Sequence, residues 1–305
     1  MGSLDFLDAH LNVHWLRPES ALWDAIASSV ISQFELLSPC LDLGSGNGVF
    51  SFITAGGSFS REFDWYRNVN VESFWDNADV YDVFTTSIDP TWIVQKARYQ
   101  IDIAVDIKAN LVRQAFGLGL YQNFVIADAR LCLPFRDNSF QMVFSNILYW
   151  LPSPEASLKE VWRVLRPGGY ALLCLQDHRF KEYCISYRWE ELGSQALKLL
   201  NRGRRESSYW TISYPELATL VRRIGFKLIS HLYYLSPLTL RVWDVGLRPL
   251  FPVLIKMVGS LDDAARRSIK SEWIGTVRPF LEELYEAERR SCDPGGYHCV
   301  YLQKA

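Results

Sequence analysis

An α/β architecture is expected from this sequence: a seven-stranded, mostly parallel sheet with helices on both faces, plus two insertions forming a cap. Three observations carry the expectation. Short apolar runs alternate with helical stretches through most of the chain, the pattern that builds a parallel sheet covered on both sides. The first apolar run passes straight into a turn with glycines at alternate positions, Gly44, Gly46 and Gly48. Two later runs end on aspartates, Asp106 and Asp128, at the strand ends where such sheets bind ligands. The 305 residues, 49% hydrophobic and 22% charged, are enough to bury a core without disulfides or metal staples.

The elements follow in order. Pro18 opens a helix carrying Leu22, Ile26, Ala27, Val30 and Ile31. Cys40-Leu41-Asp42-Leu43 reads as a short buried strand, and residues 49–55 as a helix stopped by Gly56-Gly57. Residues 101–105 form the second strand, 111–118 a helix, 123–127 the third strand and 141–144 the fourth. Pro154 starts a helix with Leu158, Val161, Trp162 and Leu165 on one face, and Arg166-Pro167-Gly168-Gly169 separates it from a fifth strand over 170–175. Pro215 begins another helix that ends at Gly225, and 226–235 and 297–302 are the last two strands. Residues 57–99 and 236–296 break this rhythm. As excursions of a single domain spanning 1–305, they are expected to cover the carboxyl ends of the strands as a substrate lid.

Charge and composition exclude several classes of protein. Lys and Arg total 32 against 34 for Asp and Glu, so no global basic field draws in a nucleic acid backbone. The six cysteines form no CxxC pair and are expected as reduced thiols. The opening residues carry acids early and no apolar core, unlike a secretory leader, and no apolar run approaches a membrane span. A cytoplasmic protein is expected.

The glycine turn is the most informative segment. A strand, three alternate glycines and a helix start bring backbone N–H groups close to a ligand. A dinucleotide fold would place a third small residue where Val49 stands, and no Lys-Ser/Thr pair follows as in a P-loop. With Leu41-Asp42-Leu43 ahead of it, Gly44-Ser45-Gly46-Asn47-Gly48 resembles the first motif of the class I S-adenosylmethionine-dependent methyltransferases of the ubiquinone-biosynthesis-like branch. Asp106, Asp128-Ala129, Leu165-Arg166-Pro167-Gly168-Gly169 and the stretch from Leu133 to Phe144 match further motifs in the same order. The resemblance covers roughly residues 38–176, with a tail to 235 and 297–303.

That resemblance implies a Rossmann-like fold and S-adenosyl-L-methionine as cofactor. It implies Gly44, Ser45, Gly46 and Gly48 along the cofactor, Asp42 toward its methionine amine directly or through water, Asp106 on the ribose hydroxyls, and Ile107 among the cofactor-binding residues. Asp128 and Ala129 would flank the adenine, and Ser145 would stand at the edge of the transfer pocket. Asp64 competes with Asp106, since it lies at the usual distance of about twenty residues from the first motif. Asp106 is preferred because it ends a strand and precedes a helix, whereas Asp64 has no apolar run before it.

Methyl transfer from a sulfonium can be driven largely by orientation, so a general base is not obligatory. Tyr149 and His178 are the candidates for substrate contact because each follows a strand end; aromatic packing and a surface loop are the bland readings. Trp15 and Arg17 either close over the site or pack their helix. His10, His14, His231 and His298 are read as lacking ligand spacing, and no metal is expected. The arginines of 201–205 are read as solvated loop charge, with a phosphate contact as the sharper reading. Residues 238–256 are read as buried against the domain, with a peripheral membrane contact as the alternative. The aromatics of 57–99 fit a walled pocket.

The leading expectation is methylation of a small-molecule, glycan- or lipid-linked acceptor. An RNA methyltransferase is the alternative, disfavoured by the neutral charge and by the missing Asn/Asp-Pro-Pro-aromatic motif after the fourth strand. A non-catalytic cofactor-binding partner protein is the third reading.

Overall fold

The computed structural model describes residues 3–67, 69, 87–184, 193, 195 and 210–305. Phe74, Trp75, Tyr81 and Phe84 of the first insertion and the arginines of 201–205 lie outside the described residues.

Seven strands form one sheet: β1 (Cys40–Leu43), β4 (Ile101–Asp106), β5 (Tyr121–Ile126), β6 (Phe140–Ser145), β7 (Leu165–Gln176), β8 (Phe226–Tyr234) and β9 (Tyr297–Lys304). Their order is β5-β4-β1-β6-β7-β9-β8. All pair in parallel except β9, which runs antiparallel between β7 and β8. From β1 the chain builds outward through β4 and β5, then crosses back to place β6 on the other side of β1. That reversal opens a crevice beyond the carboxyl ends of the strands. β1 is buried along its whole length, Asp42 included, as a central parallel strand must be.

The helices follow their sequence signals. α1 (Ser3–Val13) precedes α2 (Pro18–Ile31), which has proline in its first turn. α3 (Val49–Thr54) and α4 (Ala109–Ala115) follow the first two strands, and α5 (Pro154–Val164) is capped by the Ser153 hydroxyl accepting from Ala156 N. After the four-residue α6 (Phe180–Tyr183), α7 (Tyr214–Ile224) starts in a Ser213–Glu216 capping box and stops at Gly225, φ 108°. Periodicity did not assign α1, whose inward face mixes Phe6, Leu7 and Leu11 with the buried His10 and so blurs the apolar stripe.

The first insertion returns through a two-stranded ribbon, β2 (Ser58–Phe59) against β3 (Ile93–Gln95). The second contains α8 (Pro237–Arg241), a wide π turn over Val242–Leu247, α9 (Phe251–Gly259) and the 28-residue α10 (Asp263–Arg290). The two insertions are joined to each other and to the amino-terminal helices. Trp273 Nε1 donates to the Trp15 carbonyl at 2.6 Å, and Arg278 pairs with Asp8. Lys270 Nζ donates to Asn12 Oδ1 and to the carbonyls of Arg61 and Phe63. Its burial pushes its pKa down to about 8. The long helix is thus seated on α1, α2 and the first insertion.

Candidate cofactor site

The glycine turn is stitched to the neighbouring strand: the N–H groups of Gly44 and Ser45 both donate to the Val105 carbonyl, at 2.7 and 2.9 Å. Gly44, Gly46 and Gly48 have φ of 82°, 56° and 74°, a region that L side chains rarely adopt. Two of them also touch neighbours. A Cβ on Gly44 would lie 1.9 Å from Ile147 Cγ1, and one on Gly48 would lie 2.7 Å from the Tyr121 ring. Gly46 differs, because nothing stands within 4 Å of its Cβ position. Beside it the Ser45 hydroxyl is buried and has no hydrogen-bond partner. Open space and an unsatisfied polar atom at a strand–turn–helix junction fit a ligand with several hydrogen-bonding groups.

Asp42 faces inward. It is 2% exposed, and its Oδ2 accepts from Tyr121 OH at 2.6 Å and Ser51 Oγ at 2.7 Å. Burial raises its pKa to about 6 against the pull of the two hydroxyls, and the nearby Asp106 adds to the rise. Tyr121 therefore braces the turn twice, with its ring under Gly48 and its hydroxyl on Asp42.

Asp106 stands at the turn. Its Oδ2 accepts from Gly46 N at 2.9 Å and its Oδ1 from Lys108 N at 2.8 Å. Each oxygen keeps a further lone pair, so the carboxylate can still accept two hydroxyls. Asp64 is elsewhere. It accepts from Trp15 Nε1 at 3.0 Å and Tyr66 N at 3.1 Å, and it is ion-paired to Arg266 at 2.6 Å. None of its partners belongs to the glycine turn.

Asp128 follows β5 and is held by Arg130, whose guanidinium and backbone N–H occupy both oxygens and keep its pKa low. That arginine gives the expected adenine contact a competing partner that spacing did not reveal. Ala129 is partly buried against the apolar cluster behind the sheet. Ile107 is 51% exposed, and Ile126, opposite Asp106 in register, is 59% exposed. Sequence reasoning missed Ile126. An apolar residue at a strand end is unremarkable in sequence, and only its exposure sets it apart.

Ser145 ends β6. Its side chain is fully buried and donates to the Leu43 carbonyl at 2.7 Å, which ties β6 to β1.

Tyr149 packs edge-on to Tyr297, at 5.3 Å between centroids, in an aromatic group with Trp23, Phe180 and Trp243 near the ends of β6 and β7. His178 is half-exposed, with Nδ1 3.2 Å from Asp177 Oδ1. The buried histidine at this end is His298, brought beside Leu175 by the antiparallel β9. Its Nε2 lies 2.9 Å from the Ile212 carbonyl and 3.0 Å from Asp177 Oδ2. That nitrogen faces two acceptors and carries a proton, and Nδ1 lies 2.9 Å from His231 Nε2. His298 is 121 residues beyond Asp177, and only the strand pairing could have revealed the contact.

Trp15 is fully buried and Arg17 forms a buried ion pair with Glu19 at 3.0 Å. Within 238–256, Leu240, Trp243, Leu247, Phe251 and Ile255 point inward, while Leu238 and Val253 are half-exposed. Among the described residues no helix is long and apolar enough to cross a membrane.

Comparison with known proteins gives matches to parts of the chain. Residues 91–173 match a family described as methyltransferase domain. The chain is 32% identical over 106 residues to demethylmenaquinone methyltransferase of Lactiplantibacillus plantarum, covering 31% of this chain and 44% of that protein. It is 24% identical over 151 residues to malonyl-[acyl-carrier protein] O-methyltransferase of a Marinomonas species, covering 42% and 56%. The chain thus spans about half the length of these relatives. A Thermotoga maritima structure described as a SAM-dependent methyltransferase, possible histamine N-methyltransferase, aligns over 94% of this chain and 91% of its own, at 15% identity and a TM-score of 0.48. The strand order and glycine turn define a Rossmann-like fold, and the methyltransferase-domain match falls within it, over residues 91–173.

Proposed function

We propose that this chain transfers a methyl group from S-adenosylmethionine to a small-molecule, glycan- or lipid-linked acceptor. The observation that carries the reading is the conjunction at Gly46: open space over its Cα, its N–H on Asp106, and the unpartnered Ser45 hydroxyl beside it. When bound, the cofactor supplies an electrophilic methyl group on a sulfonium. The chain supplies the rest. The turn presents backbone to the methionine and adenosine portions, and Asp106 accepts the ribose hydroxyls on its spare lone pairs. Ile107 and Ile126 offer apolar surface near the adenine, and Ala129 lines its edge. Asp128 would have to share its carboxylate with Arg130, and Asp42 would act on the methionine amine through a bridging water.

The aromatic group of Tyr149, Tyr297, Phe180 and Trp23 would bound the acceptor side, excluding water and fixing the angle of approach. His178, exposed and resting on Asp177, is the group there that could take a proton from an acceptor hydroxyl. The demethylmenaquinone and malonyl-carrier acceptors named for the relatives are apolar or carrier-linked, which suits an aromatic wall. Labelled-methyl transfer to quinone precursors, acyl carriers, lipid-linked sugars and total RNA tests the proposal. Label in one of the first three classes is expected. Label in RNA alone, or cofactor binding with no product in any class, would contradict it.

A further inference from the structure

We propose that His10, His14 and Asp24 form a binding site for one divalent transition-metal ion of the zinc type, between α1 and α2. The site is separate from the glycine turn and does not depend on the methyltransferase reading. His14 continues the last turn of α1, its N–H donating to the His10 carbonyl at 2.8 Å, so the two imidazoles stand on one face. Their rings lie 10° from parallel with centroids 6.3 Å apart. Asp24 comes from α2, and one ligating atom from each of the three residues lies within 4.8 Å of the other two.

The hydrogen bonds around the histidines decide which nitrogens remain. Thr54 Oγ1 donates to the Phe50 carbonyl at 2.8 Å, so it accepts from Ser28 Oγ at 2.7 Å. Ser28 Oγ, its proton spent, then accepts from His10 Nε2 at 2.8 Å. This relay fixes the proton of the neutral imidazole on Nε2 and leaves a lone pair on Nδ1. That Nδ1 is fully buried and has no hydrogen-bond partner. For His14, Nδ1 lies 3.4 Å from Tyr66 OH and Nε2 lies 3.4 Å from Asp24 Oδ2. Bonds of about 2.0–2.1 Å to a tetrahedral ion put ligand atoms roughly 3.3 Å apart, so the His14–Asp24 edge already has the span of two ligands on one ion.

Two imidazole nitrogens and one carboxylate oxygen are a borderline donor set that suits Zn²⁺ and leaves a fourth position for water. The Ser28–Thr54 relay and Tyr66 hold the outer nitrogens, as ring-orienting partners do at such sites. Phe50 and Trp65 pack on the histidine rings at 5.9 and 5.4 Å, keeping the site dry on the inner side. Asp24, with its side chain 23% exposed, forms the solvent side. An ion here would fasten α1 to α2 and, through Ser28 and Thr54, to α3, which opens at the glycine turn. The i, i+4 histidine pair was present in the sequence, but the third ligand is on another helix, and no motif joins the two.

The test uses the full chain, stripped with a chelator and titrated with Co²⁺ and then Zn²⁺ at neutral pH. One Co²⁺ per chain is expected, with the visible absorption of a tetrahedral site, displaced by one equivalent of Zn²⁺. The thermal midpoint should rise with Zn²⁺. Asp24→Asn, at the partly exposed ligand, should keep the far-UV spectrum of the fold and lose the absorption and the thermal shift; His14→Gln is the second variant. Equal Co²⁺ spectra and equal Zn²⁺ stoichiometry in wild type and Asp24→Asn would overturn the proposal, as would no absorption in either.

Discussion

At the scale of single residues, the two competing aspartates separate by their partners. Asp106→Ala removes the acceptor of Gly46 N–H and should weaken S-adenosylmethionine binding many-fold with little change in fold. Asp64→Ala leaves buried Arg266 and Trp15 without their carboxylate and should lower the thermal midpoint while sparing cofactor affinity. Titration and melting of both variants give the ranking, and the reverse order would return the ribose role to Asp64. Tyr121→Phe keeps the ring beneath Gly48 but deprives the buried Asp42 carboxylate of one donor, so a loss of about 1–3 kcal/mol is expected from denaturant unfolding. The acidic residue in Leu41-Asp42-Leu43 was legible in sequence as standing directly before the glycine turn. Its inward orientation was not, because that depends on Tyr121, which arrives from another strand.

At the scale of elements, the order of strands and helices was readable almost throughout, because proline starts, glycine stops and apolar runs are local signals. The arrangement of the second insertion was not. Its polar contacts, such as Lys270 on three oxygens from α1 and the first insertion, join residues more than two hundred positions apart. The pairing of β9 with β7 and β8 likewise assembles Asp177, His298 and His231 from three distant segments. This cluster predicts a pH effect. Burial, with His298 beside it, lowers the pKa of His231 to about 4 against the opposing pull of Asp177. A folded-state value below that of the unfolded chain gives stability that is complete above about pH 6.5 and is lost as pH falls toward 4. Asp42, raised to about 6, works in the opposite sense: its share of stability is present below about pH 4 and lost as pH rises through 6. Unfolding measured from pH 7 to pH 4 should therefore show a smaller acid loss in His231→Gln than in wild type. Identical profiles would show that His231 has the same pKa in the folded and the unfolded chain.

At the scale of the whole molecule, the sheet places the glycine turn, Asp106, Asp128 and the ends of β6 and β7 at the carboxyl ends of its strands, and the formal charge of -2 gives the chain no global field that draws in polyanions. A cavity of about 270 Å³ lies instead between the two insertions, lined by Phe63, Asp64, Trp92, Arg266 and Lys270 among others, and no residue of the glycine turn borders it. The two insertions are held by each other and by the amino-terminal helices, and the cofactor reading rests on the turn. Calorimetric titration of the chain with S-adenosylmethionine and with NAD, repeated on Gly46→Ala, tests that reading most directly. In Gly46→Ala the added methyl meets no atom of the protein but enters the space over the turn. Saturable binding of S-adenosylmethionine alone, abolished in a folded Gly46→Ala variant, is the predicted result. Binding of NAD, or S-adenosylmethionine affinity unchanged by the substitution, would contradict it.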